Sequence, residues 1–279
     1  MAHERVALVT GASSGIGKAT AELLARSGYR VFGTSRAAKP DAAITFALIP
    51  LDVRSDASAA AAVDAVIRQA GRIDLLVNNA GYSQAGAIEE NSITDARDQL
   101  ETNVLGAMRM VQAALPHMRR QRSGRIISVS SVLGHVAPPC VGLYAMSKFA
   151  LEGLCEALRY EVKQFNVQVS LIEPAFVKSN IGVTPPTHPL PDYADLRELA
   201  SRFTANGVRQ GMAASLVARA VLHAATAAHP RLRYRVGRRA HLLITLKRLL
   251  PERLFERVRQ RVFAAGSRAG ASAPVEVSP

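Results

Sequence analysis

The chain has 279 residues, 48% of them apolar, enough to bury a sizeable core within one α/β unit. Its two cysteines, with no CxxC pair and no Cys/His cluster, argue against a disulfide framework and a structural zinc site, and no metal is expected. The net charge of +13 is local: residues 230–268 hold twelve Lys/Arg against two Glu, a net of +10, while the other 23 basic and 20 acidic residues leave only +3.

Strand-like and helix-like runs alternate from the start. Val6 to Val9 reads as a first strand, followed by a glycine-rich turn and a helix over Ile16 to Arg26. Tyr29 to Thr34 and Phe46 to Leu51 read as strands two and three. A helix over Ala57 to Ala70 leads to a fourth strand, Ile73 to Val77, stopped by Asn78-Asn79-Ala80-Gly81. A long helix is predicted over Ala96 to Arg120, a fifth strand over Arg125 to Val129 and a second long helix over Gly142 to Gln164. A sixth strand, Val167 to Ile172, is expected to break at Glu173-Pro174. Strands that are apolar on both faces belong in a parallel sheet covered on each side. The alternation predicts a doubly wound, Rossmann-like α/β fold with right-handed crossovers.

Residues 174–211, with Pro185, Pro186, Pro189 and Pro191, read as a loop-and-short-helix lid over ligand. A helix over Met212 to Ala228 and a strand over Leu232 to Val236 complete a domain spanning residues 1–238. Residues 239–263 read as two basic amphipathic helices, and 264–279 as a disordered tail. The basic helices admit two uses: packing over the substrate pocket or a neighbouring subunit, or a peripheral membrane contact. No nucleic-acid role is expected, because the basic run lacks interleaved stacking aromatics. No apolar run approaches the length of a membrane span and no secretory h-region precedes the first strand, so the expected setting is cytoplasmic.

The segment Thr10 to Gly17 (Thr-Gly-Ala-Ser-Ser-Gly-Ile-Gly) follows the first strand and opens the first helix. Gly11, Gly15 and Gly17 let backbone approach a pyrophosphate, and the helix N-terminus offers free N–H groups and positive dipole. Ser13, Ser14 and Ile16 share that turn. The end of strand two carries Ser35 and Arg36 and no carboxylate, which favours the 2′-phosphate of NADP(H) over NAD(H). Further along, Tyr144 and Lys148 stand at i and i+4, on one helix face, thirteen and seventeen residues after Ser131. A fixed ammonium favours phenolate and can draw a phenol's pKa down from its ordinary value of about 10.

Taken together, Thr10 to Gly17, Asp52-Val53, Asn78 to Gly81, Asn103, Ser131, Tyr144 and Lys148 make the chain resemble the short-chain dehydrogenase/reductase family. The likeness covers roughly residues 5–237, and Gly142 to Ala157 is most like the 17β-hydroxysteroid and retinol dehydrogenases. It implies hydride transfer between nicotinamide and a carbonyl or secondary alcohol of an apolar, steroid-, retinoid- or lipid-like substrate. Tyr144 would be the general acid/base, Ser131 would hold the substrate oxygen, and Lys148 would lower the phenol's pKa and hold the nicotinamide ribose. Asn103 would hold a helix distortion and a water connecting Lys148 to solvent. Asp52 and Val53 would flank the adenine, with Asn79, Ala80 and Gly81 beside the cofactor. Pro174 is followed by Ala175 where the family often has Gly, so Val177 and Ser179 are carried as contacts from the following segment. Cys140 and Val141 would border the substrate. The family habit is a homodimer or homotetramer. The reading of a different class is a non-catalytic NADP(H)-binding sensor or scaffold, against which the joint presence of Asn103, Ser131, Tyr144 and Lys148 argues.

Overall fold

The computed structural model describes residues 4–37, 45–179 and 181–268. Its centre is a sheet of seven parallel strands: β1 (Arg5–Val9), β2 (Tyr29–Ser35), β3 (Ala47–Pro50), β4 (Leu75–Asn78), β6 (Gly124–Val129), β7 (Val167–Pro174) and β11 (Arg233–Val236). The spatial order is β3-β2-β1-β4-β6-β7-β11, so the winding reverses between β1 and β4. In open α/β sheets that reversal leaves a crevice beyond the strands' carboxyl ends, where ligands bind. Four two-residue strands add small ladders beyond those ends: β5 (Ser83–Gln84) with β9 (Val183–Thr184), and β8 (Val177–Lys178) with β10 (Met212–Ala213).

Successive strand residues point to opposite faces, and both faces of β1 are apolar. Val6 and Leu8 join a core with α2 (Asp56–Ala70), α4 (Gly106–Gln121) and α5 (Gly142–Val162). Ala7 and Val9 join a second core with α1 (Gly15–Arg26) and α7 (Ala214–Thr226). The sheet is therefore covered on each side, as the sequence predicts. A third, small cluster joins Val132 to Ala240 and Ile244 of α8 (Arg238–Leu249), which fixes the basic C-terminal segment to the loop after β6.

Several boundaries differ from expectation. The predicted long helix begins earlier, as α3 (Ile93–Leu100), and a π-helical turn at Glu101–Leu105 interrupts it before α4. Strand β7 does not break at Glu173 but runs through Pro174, because β11 pairs alongside it with Arg235 opposite Glu173 and Val236 opposite Pro174. The expected irregular stretch before residue 211 contains a four-turn helix, α6 (Ala194–Arg209), entered through a 3-10 turn that begins at Pro191. Helix α7 starts at Ala214, after Met212–Ala213 pair with Val177–Lys178. Helix α9 (Glu252–Arg268) passes the expected start of the disordered tail at residue 264, and residues 269–279 lie outside the described ones.

The turn between β1 and α1 places Gly11 and Gly15 at φ +64° and +55°, where an L side chain is strained. Gly17 has a different constraint: a Cβ there would lie 2.1 Å from the Gly11 carbonyl oxygen. Its missing side chain lets α1 start directly beneath the turn. Gly17→Ala should therefore cost about 3 kcal/mol by overpacking, read as a lowered midpoint in urea denaturation; an unchanged midpoint would count against this contact as a packing limit.

Candidate active site

A cleft of about 1510 Å³ crosses the carboxyl edge of the sheet, from the glycine turn and Arg36 at one end to α6, α8 and α9 at the other. A site for one drug-sized molecule holds roughly 300–1,000 Å³, so this cleft has room for a dinucleotide and a second ligand together. Every residue expected to hold the cofactor lines it except Gly17, whose contacts are with the Gly11 backbone and the Asn79 amide. The floor below the turn is held by Asn79, whose Nδ2 donates to the Thr10 and Gly11 carbonyls at 2.9 and 3.1 Å. The turn fits a pyrophosphate: it offers close backbone, and an added Cβ on Gly11 would meet Ala80 Cα at 3.0 Å.

Midway along the cleft, Ser131, Tyr144 and Lys148 come together. Ser131 ends the extended backbone after β6, and its Oγ accepts from the Leu133 N–H at 3.1 Å. The same hydroxyl faces the Tyr144 phenol, where it favours the ionised form. Lys148 lies one turn further along α5, 7% exposed, and its Nζ donates to the Val129 carbonyl at 2.9 Å. The ammonium stands 5.5 Å from the centre of the Tyr144 ring.

Burial pushes the Tyr144 phenol up to about 12, and Ser131 opposes the rise. The physical reason is desolvation, which disfavours phenolate, while the ammonium is directed at a backbone carbonyl. Burial also draws Lys148 down to about 8, opposed by the nearby Glu152 carboxylate and the Cys155 thiol. The folded chain thus holds a protonated phenol beside an ammonium that exchanges its proton near neutrality.

Asn103 sits in the π-helical turn, away from the main cleft. Its Oδ1 accepts from the Tyr82 N–H at 3.1 Å, and its Nδ2 donates to the Tyr82 carbonyl and to Ser147 Oγ at 3.0 and 3.1 Å. Ser147 in turn donates to the Tyr144 carbonyl at 2.7 Å, which ties the distorted helix to the turn carrying the phenol. Between Asn103 and Lys148 lies a cavity of about 10 Å³, bounded also by Asn78 and Thr102. That is the volume of one water, with polar groups on several sides.

Two expected substrate contacts part company. Val141 lines the cleft; Cys140 does not. Cys140 is buried at φ +59°, and its carbonyl accepts from the Gly86 N–H at 2.9 Å. Among the residues not singled out from sequence as site members are Leu243, Leu246, Phe255 and Phe263 of the C-terminal helices, which wall the apolar half of the cleft. Phe203 of α6 joins Phe176 and Phe263 in ring contacts of 5.7 and 5.3 Å between centroids. The available signal was the apolar spacing of the basic helices, and of their two uses the structure shows packing over the cleft.

The fold and the glycine turn define a nucleotide-binding oxidoreductase, and comparison with known proteins places it. The sequence profile of the family described as short chain dehydrogenase matches residues 5–187, and the chain belongs to that family. It is 35% identical over 258 residues to the 3-ketodihydrosphingosine reductase of Bacteroides thetaiotaomicron, covering 90% of this chain and 95% of that protein. It is 36% identical over 274 residues to retinol dehydrogenase 8 of Bos taurus, covering 88% and 86%. Among solved structures, a short-chain dehydrogenase from Streptomyces avermitilis superposes with a TM-score of 0.78 at 30% identity, covering 98% of this chain and all of that one. Within the family the chain stands with the retinol and 17-beta-hydroxysteroid dehydrogenases, and it is an enzyme acting on CH–OH groups with NAD(P). Among the described residues no helix is long and apolar enough to cross a membrane.

The Lys148 shift has a consequence for stability. Between pH 8 and 10.5 the unfolded chain keeps this proton while the folded chain releases it, so stability rises with pH across that window. Below pH 8 both states are charged and the folded state carries the whole penalty, on the order of 3 kcal/mol. Lys148→Met should therefore melt above the wild type at pH 7, with the gap closing toward pH 10. Melting curves across this range test it, and a gap independent of pH would contradict the burial argument.

Proposed function

We propose that the chain is an NADP(H)-dependent reductase of apolar ketones or aldehydes, with Tyr144 as the general acid. The observation that carries this reading is the arrangement along one cleft: glycine turn and Arg36, then Ser131, Tyr144 and Lys148, then an apolar end. Arg36 at the strand end suits a 2′-phosphate, and among the described residues at the end of β2 there is no carboxylate to hold a 2′-hydroxyl. The bound nicotinamide would supply the hydride.

Ser131 and Tyr144 would both donate to the substrate oxygen, orienting the carbonyl and stabilising the negative charge that grows there. Tyr144 would then transfer its proton to that oxygen. Burial holds Tyr144 protonated in the folded chain, so the proton that the substrate oxygen needs is already in place. Lys148 would hold the nicotinamide ribose and, through the water-sized cavity at Asn103, connect the phenol's proton to solvent. The names of the relatives, a ketodihydrosphingosine reductase and a retinol dehydrogenase, support an extended lipophilic substrate of the kind the Phe176, Phe203, Leu246 and Phe255 walls would cover. Exposed Met108 on α4, with Met146 and Phe149 on α5, fits a homodimer or homotetramer built on those two helices.

A second part of the proposal concerns where the substrate comes from. Leu249 and Leu254 are 75% and 46% exposed on the C-terminal helices, among Lys247, Arg248, Arg253 and Arg257. Exposed leucines set among cations suit the surface of an anionic bilayer, and they flank the helices that wall the cleft.

Two experiments follow. A panel of ketones, aldehydes and alcohols followed at the nicotinamide absorbance should show turnover with NADPH at least tenfold more efficient than with NADH. Tyr144→Phe should lower kcat by a factor of about 10³ or more while NADPH affinity stays within about twofold; wild-type turnover in that variant would remove the phenol from the mechanism. In the second, the intact chain should float with phosphatidylglycerol vesicles at low salt, and Leu249→Glu with Leu254→Glu should abolish flotation. Absence of the wild type from the vesicle fraction would end the membrane reading.

A further inference from the structure

Behind the site, on the side of α5 away from the cofactor turn, lies a buried charged cluster that the mechanism above does not use. Glu152 is 6% exposed and follows Lys148 by one helical turn on α5, so the two share a face. Arg233 of β11 reaches its Oε2 through Nε at 2.8 Å, and the same guanidinium holds the exposed Glu156. Glu173 of β7, wholly buried, lies 3.4 Å from Arg233 Nε, 3.8 Å from Arg235 Nε and 3.1 Å from His135 Nε2. The Ser130 hydroxyl of the β6 end lies against Glu152. One ligand-type atom each from His135, Glu152 and Glu173 falls within 4.8 Å of the others, a spacing that suits a metal, but the cation against both carboxylates is the Arg233 guanidinium.

Arg233 therefore joins the catalytic helix to β7 and to the strand that leads into α8. This arrangement fixes the Glu152 carboxylate in place, one turn from an ammonium that has little water around it. A buried lysine loses its charge readily, and an anion held nearby is the direct physical means of keeping it. The groups facing the Lys148–Glu152 pair come from every packed element: Tyr144, Cys155 and Glu156 on α5, Ser130 just after β6, Glu173 from β7, Arg233 and Arg235 from β11, and His135 from the loop after β6. Of these, Glu152 is the buried carboxylate that shares the Lys148 face of α5, one turn away and fixed by Arg233, where its charge opposes loss of the ammonium's.

We infer that Glu152, held by Arg233, is a positioning residue that keeps the Lys148 ammonium charged beside Tyr144. The inference rests on Lys148 serving the acid/base apparatus proposed above, but its test does not require turnover. Six lysines make the chain tractable for a ¹³Cε-lysine NMR titration, with Lys148 assigned by its absence in Lys148→Met.

In Glu152→Gln, which keeps the side-chain shape and an acceptor for Arg233, the Lys148 midpoint should fall by about one pH unit, a tenfold change in its proton affinity. Glu156→Gln, on the exposed side of the same arginine, should leave it in place. Where Glu152→Gln does not fold, Glu152→Asp serves: its retracted charge should lower the midpoint by less. An unmoved or raised Lys148 midpoint in a folded Glu152 variant overturns the inference, whatever its activity. If substrate turnover is found, the alkaline limb of kcat/KM in Glu152→Gln should move to lower pH by the same amount; a uniform loss at every pH would mark a merely structural role and overturn it as well.

Discussion

The chemical end of this protein is organised around the burial of one ammonium, that of Lys148, against a backbone carbonyl in a site with little water. An isolated charge in such a place is costly, and the structure surrounds it on three sides. The Val129 carbonyl accepts its hydrogen bond at 2.9 Å, Glu152 stands one turn away, and a water-sized cavity opens toward Asn103. Each of those partners fixes a piece of backbone. Val129 ends the strand that delivers Ser131, Glu152 is bound by Arg233 of the last strand, and Asn103 lies in a helix made π-helical for one turn. The arrangement of α5, β6 and the broken helix around Lys148 is what sets Tyr144 beside Ser131.

The opposite end depends on backbone proximity rather than charge. At the turn after β1, glycines at positive φ and the bare Cα of Gly17 bring the start of α1 beneath the strand end. Nothing there recognises a base or a sugar by itself; the turn offers N–H groups and space, and the selection falls to what stands at the end of β2. That division separates the two halves of the site. Its nucleotide half is defined by the course of the main chain, and its substrate half by side chains gathered from remote segments.

The same division explains what could be read from the sequence. The alternation of apolar runs, the glycine turn, and Ser131, Tyr144 and Lys148 are local patterns, so their elements and order were legible before any coordinates. Helix α6 was not, because four prolines in the preceding stretch mask the one of them, Pro191, that opens the turn leading into it. The charge cluster was also invisible. Glu152 and Arg233 are 81 positions apart, and nothing local marks a glutamate on a helix as buried rather than solvated. The Lys148–Val129 hydrogen bond was hidden for a related reason: helical spacing gives proximity, but the direction in which a flexible ammonium donates is set by the strand packed above it.

The C-terminal helices show how one segment can serve two surfaces. Ala240 and Ile244 are buried against Val132, so α8 is anchored close to the serine that meets the phenol. Leu243, Leu246 and Phe255 face the cleft, while Leu249 and Leu254 face outward. A helix that only roofed the pocket would gain nothing from outward leucines, and one that only touched a bilayer would have no need of the Val132 anchor. Under the membrane reading proposed above, both faces together would form a wall through which a lipophilic molecule passes from an apolar exterior to an apolar cleft without crossing water. Since transfer into water costs about 25 cal/mol for each Å² of apolar surface exposed, such a wall would lower the barrier to entry for an extended lipid far more than for a small polar sugar or acid. Selectivity would then begin at the entrance, before the carbonyl reaches Tyr144.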